Sequence, residues 1–236
     1  MDKYLIGLDN GGTLIKAIVF DTAGNVVASA SAKTPILTPE PGFTERDMDE
    51  LWLKNCDCVR RALASGEVDP ALVAGMAISG HGKGLYLWGK GGKPACNGIV
   101  STDNRAWRYP ERWKEDGTFR RNYPKLCQNI MASQQLSLLA WMKDHRPDVY
   151  EDIRWVFSVK DYLRFRFTGE AYCEATDISG SGLLNVRDKQ FDREMLADFG
   201  IGEMFNCLAP LRYSSDHCGG LTANAAQLTG LPEGLP

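Results

Sequence analysis

The residues best suited to chemistry lie near the start of the chain, in Asp9-Asn10-Gly11-Gly12-Thr13, with Lys16 shortly after them. Adjacent backbone N–H groups in a glycine turn form a concave site that suits phosphate. A carboxylate beside such a site suits Mg²⁺, which takes one or two carboxylates together with phosphate oxygens. The stretch therefore predicts a nucleotide-phosphate loop made of Asp9, Gly11, Gly12, Thr13 and Lys16, with Asp9 at the metal. An ordinary β-hairpin with a permissive turn is the alternative interpretation.

Two apolar runs position this loop, Tyr4–Leu8 before it and Ile15–Phe20 after it. Apolar segments around a short glycine-bearing loop predict a hairpin. Residues 25–33 alternate apolar and small polar side chains behind a Gly24-Asn25 turn, which predicts a third antiparallel strand. A helix is predicted over residues 47 to about 65, where apolar residues recur at helical spacing, namely Met48, Leu51, Trp52, Cys56, Val59 and Leu63.

The remaining chain alternates strands and helices. Short apolar strands are expected at Val73–Ser79 and Leu85–Trp88, separated by the glycine-rich stretch Gly80–Gly84. Residues 104–146 are expected to be mostly helical, and further helices are expected from Ser158 to Gly169, from Asp192 to Phe199 and from Ala223 to Leu228, the last entered by a strand at Gly219–Thr222. Three strands, a helix and another strand in this order predict an α/β class with a mixed sheet and helices packed on it.

Composition excludes several classes of function. With 236 residues, 44% of them hydrophobic and 24% charged, the chain has the profile of a soluble globular protein. The net charge of −3 argues against binding nucleic acid or an anionic membrane surface. No signal peptide and no transmembrane stretch are recognised. The seven cysteines include no Cys-x-x-Cys pair, which favours reduced thiols in a cytoplasmic protein.

Several motifs in sequence order resemble the N-terminal domain of the FGGY carbohydrate kinases. Residues 9–16 resemble that family's first phosphate loop, Asp-x-Gly-Thr-Thr-x-x-Lys/Arg, although Gly12 stands where Thr is usual. Gly80–Gly84 occupies the position of the family's sugar-contacting loop. Further matches are Asp103-Asn104-Arg105, Lys160-Asp161-Tyr162-Leu163, Thr168-Gly169-Glu170 and Thr176-Asp177. The resemblance covers residues 1–236 as one domain, and within the family the L-xylulose kinases are most similar, through residues 41–52 and 82–85.

The resemblance implies an actin-like, ribonuclease-H-like fold and transfer of the γ-phosphoryl group of ATP, with Mg²⁺, to a hydroxyl of a ketose. It implies a cytoplasmic enzyme that is a homodimer at full length. Lys83 and Asp103 are the foremost candidates for sugar contacts, followed by His81 and Gly82, while Arg105 is expected to pair with a nearby carboxylate. The alternatives are a surface charge for Lys83, a strand lysine for Lys16, a loop-supporting role for His81 and a turn-capping role for Asp9.

Two parts of such a kinase are not found in the sequence. The family's general base is an aspartate expected just beyond Pro236, and the second lobe, with the adenosine pocket, is absent as well. We therefore expect the polypeptide to be catalytically silent by itself. The alternative functions are a non-catalytic sugar-binding or regulatory module derived from a kinase, and an actin-like or chaperone-like ATPase lobe. The Asp103-Asn104-Arg105 and Lys160–Leu163 matches argue against the ATPase lobe.

Overall fold

The structure is a computed structural model that describes residues 3–236; Met1 and Asp2, which the N-terminal sequence arguments include, lie outside it. The strands, in chain order, are β1 (Tyr4–Asn10), β2 (Leu14–Asp21), β3 (Val26–Lys33), β4 (Glu45–Arg46), β5 (Val73–Gly80), β6 (Tyr86–Gly89), β7 (Gly98–Ile99), β8 (Ile153–Phe157), β9 (Cys173–Glu174), β10 (Leu184–Asn185), β11 (Gln190–Phe191) and β12 (Leu211–Arg212). The α-helices are α1 (Met48–Ser65), α2 (Arg108–Glu115), α3 (Thr118–Leu126), α4 (Gln135–His145), α5 (Pro147–Asp152), α6 (Val159–Thr168), α7 (Ala175–Ile178), α8 (Arg193–Asp198) and α9 (Ala223–Thr229). Short 3-10 turns span Pro70–Leu72, Ser179–Ser181 and Gly202–Cys207.

A four-stranded mixed sheet in the order β3-β2-β1-β5 carries the N-terminal hairpin. β1 pairs with β2 and β2 with β3 in antiparallel fashion, whereas β1 and β5 run parallel. This confirms the predicted opening of three antiparallel strands and the mixed sheet. Because β1 lies between its antiparallel and its parallel neighbour, its carboxyl end is flanked on both sides.

One face of this sheet is covered by α1. Ile6 and Leu8 of β1 are buried, as are Ile15, Ala17 and Val19 of β2, which is the period-two alternation of a half-buried sheet. The helix begins after Asp47, whose carboxylate accepts a hydrogen bond from the N–H of Glu50 at 2.7 Å. Its buried side chains include all six apolar residues that predicted it, so the helical periodicity identified the contact face correctly.

One sequence expectation was wrong, and strand β8 was not predicted. Gly219–Thr222 is not a strand: Gly219 has φ +93°, and Thr222 instead caps α9 through the N–H of Ala225. Strand β8 pairs antiparallel with β6, with a register irregularity between Trp88 and Gly89. Its partner is separated from it by more than sixty positions of mostly helical chain, and such a pairing leaves no local signal in the sequence.

Two further properties of the described residues concern membrane-spanning helices and disulfide bonds. No helix within residues 3–236 has both the length and the apolar character needed to cross a membrane. The seven cysteines all belong to the described part of the chain and are free thiols there.

A glycine substitution tests how tightly the loop after β5 is packed. Gly84 has φ +75°, and a Cβ there would lie 2.5 Å from the carbonyl oxygen of Ile99. Gly92 has φ +72° with nothing within 4 Å of a Cβ, so it is a matched control. We expect Gly92→Ala to cost about 1–2 kcal/mol from backbone strain, and Gly84→Ala to cost a further ~1–3 kcal/mol from overpacking. Urea unfolding measures both; equal losses would contradict the packing around Gly84.

Candidate functional site

The two predicted loops lie side by side at one edge of the sheet. Since β1 and β5 are parallel, both carboxyl ends reach that edge, and the last paired residues are Asn10 and Gly80. The N–H of His81 donates to the carbonyl of Asn10 at 3.0 Å, which continues the pairing into the loops. The structure therefore brings Asp9–Thr13 and His81–Lys83 together, as a shared phosphate and sugar site requires.

The glycine loop presents free backbone donors. Gly11 N–H donates to the carbonyl of Leu14 at 3.0 Å and closes the turn. In the described chain, the N–H groups of Gly12 and Thr13 donate to no protein acceptor. A Cβ on Gly12 would meet nothing within 4 Å, and Thr13 is exposed. Two neighbouring N–H groups without a protein acceptor have the chemistry of an anion site.

Asp9 and Lys16 stand beside these donors on the exposed face of the sheet. They are directly opposite each other in the β1–β2 register, so their side chains share a face. Ser79 of β5 donates its hydroxyl to Asp9 Oδ1 at 2.8 Å, which orients the carboxylate. Within residues 3–236 neither Asp9 nor Lys16 is in an ion pair. An exposed, oriented carboxylate next to a phosphate loop has the donor chemistry that Mg²⁺ prefers, so these residues fit a magnesium nucleotide.

Arg46 completes the loop and was not singled out from the sequence. Its side chain is 1% exposed, and its Nη1 donates to the carbonyl of Gly11 at 3.4 Å while Nη2 donates to that of Gly12. Burial holds the pKa of its guanidinium below the usual value. The sequence shows an arginine in a polar stretch, and only tertiary packing turns it inward.

His81 is tied to its own loop. Its Nδ1 lies 3.3 Å from the carbonyl of Gly82, which can only accept, so Nδ1 carries the proton. Nε2 then accepts from the hydroxyl of Tyr86 at 3.1 Å. Burial lowers the pKa of His81, with the Gly82 carbonyl opposing and nearby Arg46 adding to the shift. Both ring nitrogens are thus engaged, and a sugar contact would have to replace one of these bonds.

Gly82 and Lys83 are more accessible. Gly82 is exposed, and Lys83 is half-buried in the left-handed region at φ +64°, a conformation that is uncommon outside glycine. Lys83 Nζ donates to the thioether sulfur of Met131 at 2.8 Å. Because a thioether is a weak acceptor and an ammonium has three donors, this lysine keeps donor capacity for a ligand.

Asp103 occupies a different environment from the one expected. Its side chain is fully buried; Oδ2 accepts from the N–H of Thr44 at 2.7 Å, and both oxygens accept from the guanidinium of Arg105 at 2.9 Å. Arg105 also donates to Glu45 at 2.8 Å, so the expected pairing of that arginine is present. This geometry disfavours Asp103 as a direct sugar ligand, since such a contact would require the buried ion pair to open.

The comparisons with known proteins decide the family. The model of the FGGY family of carbohydrate kinases, N-terminal domain, matches residues 4–236. The chain belongs to this family. It is 39% identical over 236 residues to the L-xylulose/3-keto-L-gulonate kinase of Escherichia coli, covering 100% of this chain and 47% of the relative. It is 36% identical over 233 residues to a probable L-xylulose kinase of Haemophilus influenzae, covering 99% and 48%.

A solved structure supports the fold of this FGGY domain. Xylulose kinase from Rhodospirillum rubrum superimposes with a TM-score of 0.91 at 24% identity, covering 99% of this chain and 48% of that one. The likeness confirms the fold class expected from the resemblance. The chain spans about half the length of the curated relatives it matches.

A second polar cluster of the FGGY domain lies behind the sugar-side loop. Lys160 Nζ is 2.6 Å from Glu174 and 3.8 Å from Asp177, and a Cβ on Gly82 would lie 3.7 Å from Asp177. Burial raises the pKa of neighbouring Asp161 to about 6. A cleft of about 560 Å³ begins beside this cluster and follows the outer edge of β5, but none of the nine candidate site residues lines it. We place the candidate site at the loops, where the free donors are, and not in this cleft.

The lowered pKa of His81 predicts how the stability of the fold depends on pH. Its folded-state pKa is depressed, so the unfolded chain binds more protons in acid, and this group's contribution to stability is lost as pH falls through the ordinary histidine range. We expect the free energy of unfolding to fall more steeply between pH 7.5 and 5.5 in the wild type than in His81→Gln. The difference is at most about 1.4 kcal/mol per pH unit. Exposed His145 supplies the control variant His145→Gln; parallel pH profiles for wild type and His81→Gln would refute the assignment.

Proposed function

We propose that this chain is the N-terminal lobe of an ATP-dependent sugar kinase that phosphorylates a ketopentose of the L-xylulose type. The observation that carries the proposal is the adjacency of the free N–H groups of Gly12 and Thr13 to the accessible Gly82-Lys83 loop. An anion site and a polyol site side by side are what in-line phosphoryl transfer needs, since that reaction depends mainly on positioning and charge neutralisation.

The phosphate side of the proposed site consists of five residues, namely Asp9, Gly11, Gly12, Thr13 and Lys16. In the turn that Gly11 closes, the free N–H groups of Gly12 and Thr13 would hold phosphate oxygens, and Lys16 would add positive charge. Asp9, in the orientation that Ser79 gives it, would hold Mg²⁺ through water. When bound, ATP would supply the transferable phosphoryl group, and Mg²⁺ would neutralise part of the charge on that group. The protein's own contribution is a loop whose donors already face outward, so little reorganisation is needed on binding.

The sugar side rests on Gly82 and Lys83, with His81 holding the loop. Lys83 can donate to sugar hydroxyls because its bond to Met131 leaves donors unused. Asp103 binds the guanidinium of Arg105 and the backbone N–H of Thr44, and so supports the sugar side of the site from the protein interior. The choice of ketose rests on the names of the relatives, two of which are 36% and 39% identical to this chain.

Other features of the working enzyme are part of the proposal. From the family resemblance, we expect the general base in a segment after Pro236 and the adenosine pocket in a second lobe. The resemblance also supports a homodimer. Free cysteines throughout the described chain are consistent with a reducing cytoplasm.

The role of Asp9 is tested in the protein at its full encoded length. Asp9→Asn should lower kcat for L-xylulose phosphorylation by about 10²–10³-fold, because the metal's orienting carboxylate is lost from a site that works by electrostatic stabilisation. Asp21→Asn, at the opposite end of β2, is the matched control and should leave kcat unchanged. Coupled ADP-release kinetics measure both. A kcat within threefold of wild type in Asp9→Asn would remove Asp9 from the site.

The proposal that catalysis requires both lobes is tested with the 236-residue polypeptide. We expect it to release no ketose-dependent ADP, because base catalysis and half of the nucleotide site lie elsewhere, and base catalysis alone is worth about 10²–10⁴-fold. A coupled assay with L-xylulose and magnesium ATP measures this, with the full-length protein as the positive control. Ketose-dependent turnover by the 236-residue chain would contradict the proposal. If the full-length protein binds sugar but not ATP, the non-catalytic module is the better account.

A further inference from the structure

Arg46 is a buried cation without a carboxylate partner in the described chain. It is 1% exposed, its guanidinium is in none of the ion pairs of residues 3–236, and its Nε has no hydrogen-bond acceptor. An ionised group removed from water without a counter-charge costs several kcal/mol. Such a residue is expected to be retained for what its charge and its donors do.

The acidic residues nearest to Arg46 in sequence are engaged elsewhere. Glu45, its strand neighbour, points to the opposite side and binds Arg105 and Asn97. Asp47 caps α1, and Asp49 pairs with Arg166. Arg46 donates to the carbonyls of the phosphate loop, and the buried hydroxyl of Tyr86 and the ring of His81 lie near enough to interact electrostatically with its guanidinium.

The two carbonyls that Arg46 binds determine where the loop's donors point. In a planar trans peptide the C=O and the N–H of one unit point in opposite directions. The carbonyl of Gly11 shares its peptide unit with the N–H of Gly12, and the carbonyl of Gly12 shares its unit with the N–H of Thr13. By drawing both carbonyls inward, Arg46 turns outward the two N–H groups that have no protein acceptor.

Arg105 is a useful comparison, because its charge is neutralised by carboxylates within the protein. Its side chain is 3% exposed, but Asp103 and Glu45 neutralise it through bonds of 2.8 to 2.9 Å. Arg46 instead faces carbonyl dipoles, which accept from Nη1 and Nη2 but leave Nε without an acceptor and the net charge uncompensated. The uncompensated charge lies one peptide unit behind the anion site.

We propose that Arg46 is the positioning residue of the phosphate loop: it holds the carbonyls of Gly11 and Gly12 so that the N–H groups of Gly12 and Thr13 face a nucleotide, and its buried charge attracts the terminal phosphates. This inference rests on the proposed function, because it concerns the nucleotide side of that site. The ligand class is a nucleoside di- or triphosphate, and the phosphate groups, not the base, are the part that depends on Arg46.

The test compares two ligands in the full-length protein by titration calorimetry. Arg46→Gln should weaken ADP binding at least tenfold, which corresponds to about 1.4 kcal/mol, and should change L-xylulose affinity less than twofold. Arg46→Lys keeps the charge but loses the fork that spans both carbonyls, so its loss of ADP affinity should be intermediate. Arg60→Gln, an exposed arginine on α1, is the control and should leave both affinities unchanged.

Each result decides the matter. A selective loss of ADP affinity supports the role, whereas unchanged ADP affinity, or equal losses for ADP and L-xylulose, overturns it and leaves Arg46 a structural residue. If Arg46→Gln does not fold, Arg46→Lys decides. A threefold or greater loss of affinity for ADP alone supports the role, whereas a smaller loss or an unchanged ADP affinity overturns it. A wild-type protein that binds no ADP removes the proposed function itself, and this inference with it.

Discussion

The parallel pairing of β1 with β5 is the constraint on which the candidate site depends. Antiparallel pairing within the hairpin would form the glycine loop by itself, but only the parallel neighbour brings a second loop to the same edge. The bond from His81 N–H to the carbonyl of Asn10 extends the pairing past the last strand residues and fixes the distance between the loops. Phosphoryl transfer depends on such positioning more than on any single side chain.

The two-residue strand β4 joins both sides of the site. Glu45 and Arg46 are consecutive, and alternation along a strand sends their side chains in opposite directions. Glu45 binds Arg105, and the preceding Thr44 N–H binds Asp103, so this short strand anchors the Asp-x-Arg segment. Arg46 binds the phosphate loop. A displacement of β4 would therefore act on both loops, which links the packing of α1, beginning immediately after β4, to the geometry of the site.

Much of this architecture was predictable because its signals are local. The hairpin, the third strand and α1 each follow from a periodicity or a turn within about twenty residues, and the motif order identified the family and fold. The pairing of β8 with β6, the burial of Asp103 and the inward turn of Arg46 depend on contacts between distant segments. A carboxylate next to Arg105 is compatible with either an open cleft or a closed ion pair, and only the packing around Thr44 decides for the pair.

The charge balance around the phosphate loop follows from which cations are buried. Burial and the neighbouring guanidinium both lower the pKa of His81, so at neutral pH the ring is neutral and contributes no positive charge. Burial lowers the pKa of Arg46, but a guanidinium is not deprotonated in proteins, so Arg46 stays charged over the same range. The positive potential behind the loop therefore comes from a group that does not titrate between pH 6 and 8. An anion site built on a buried arginine holds its charge where a histidine-based site would lose it.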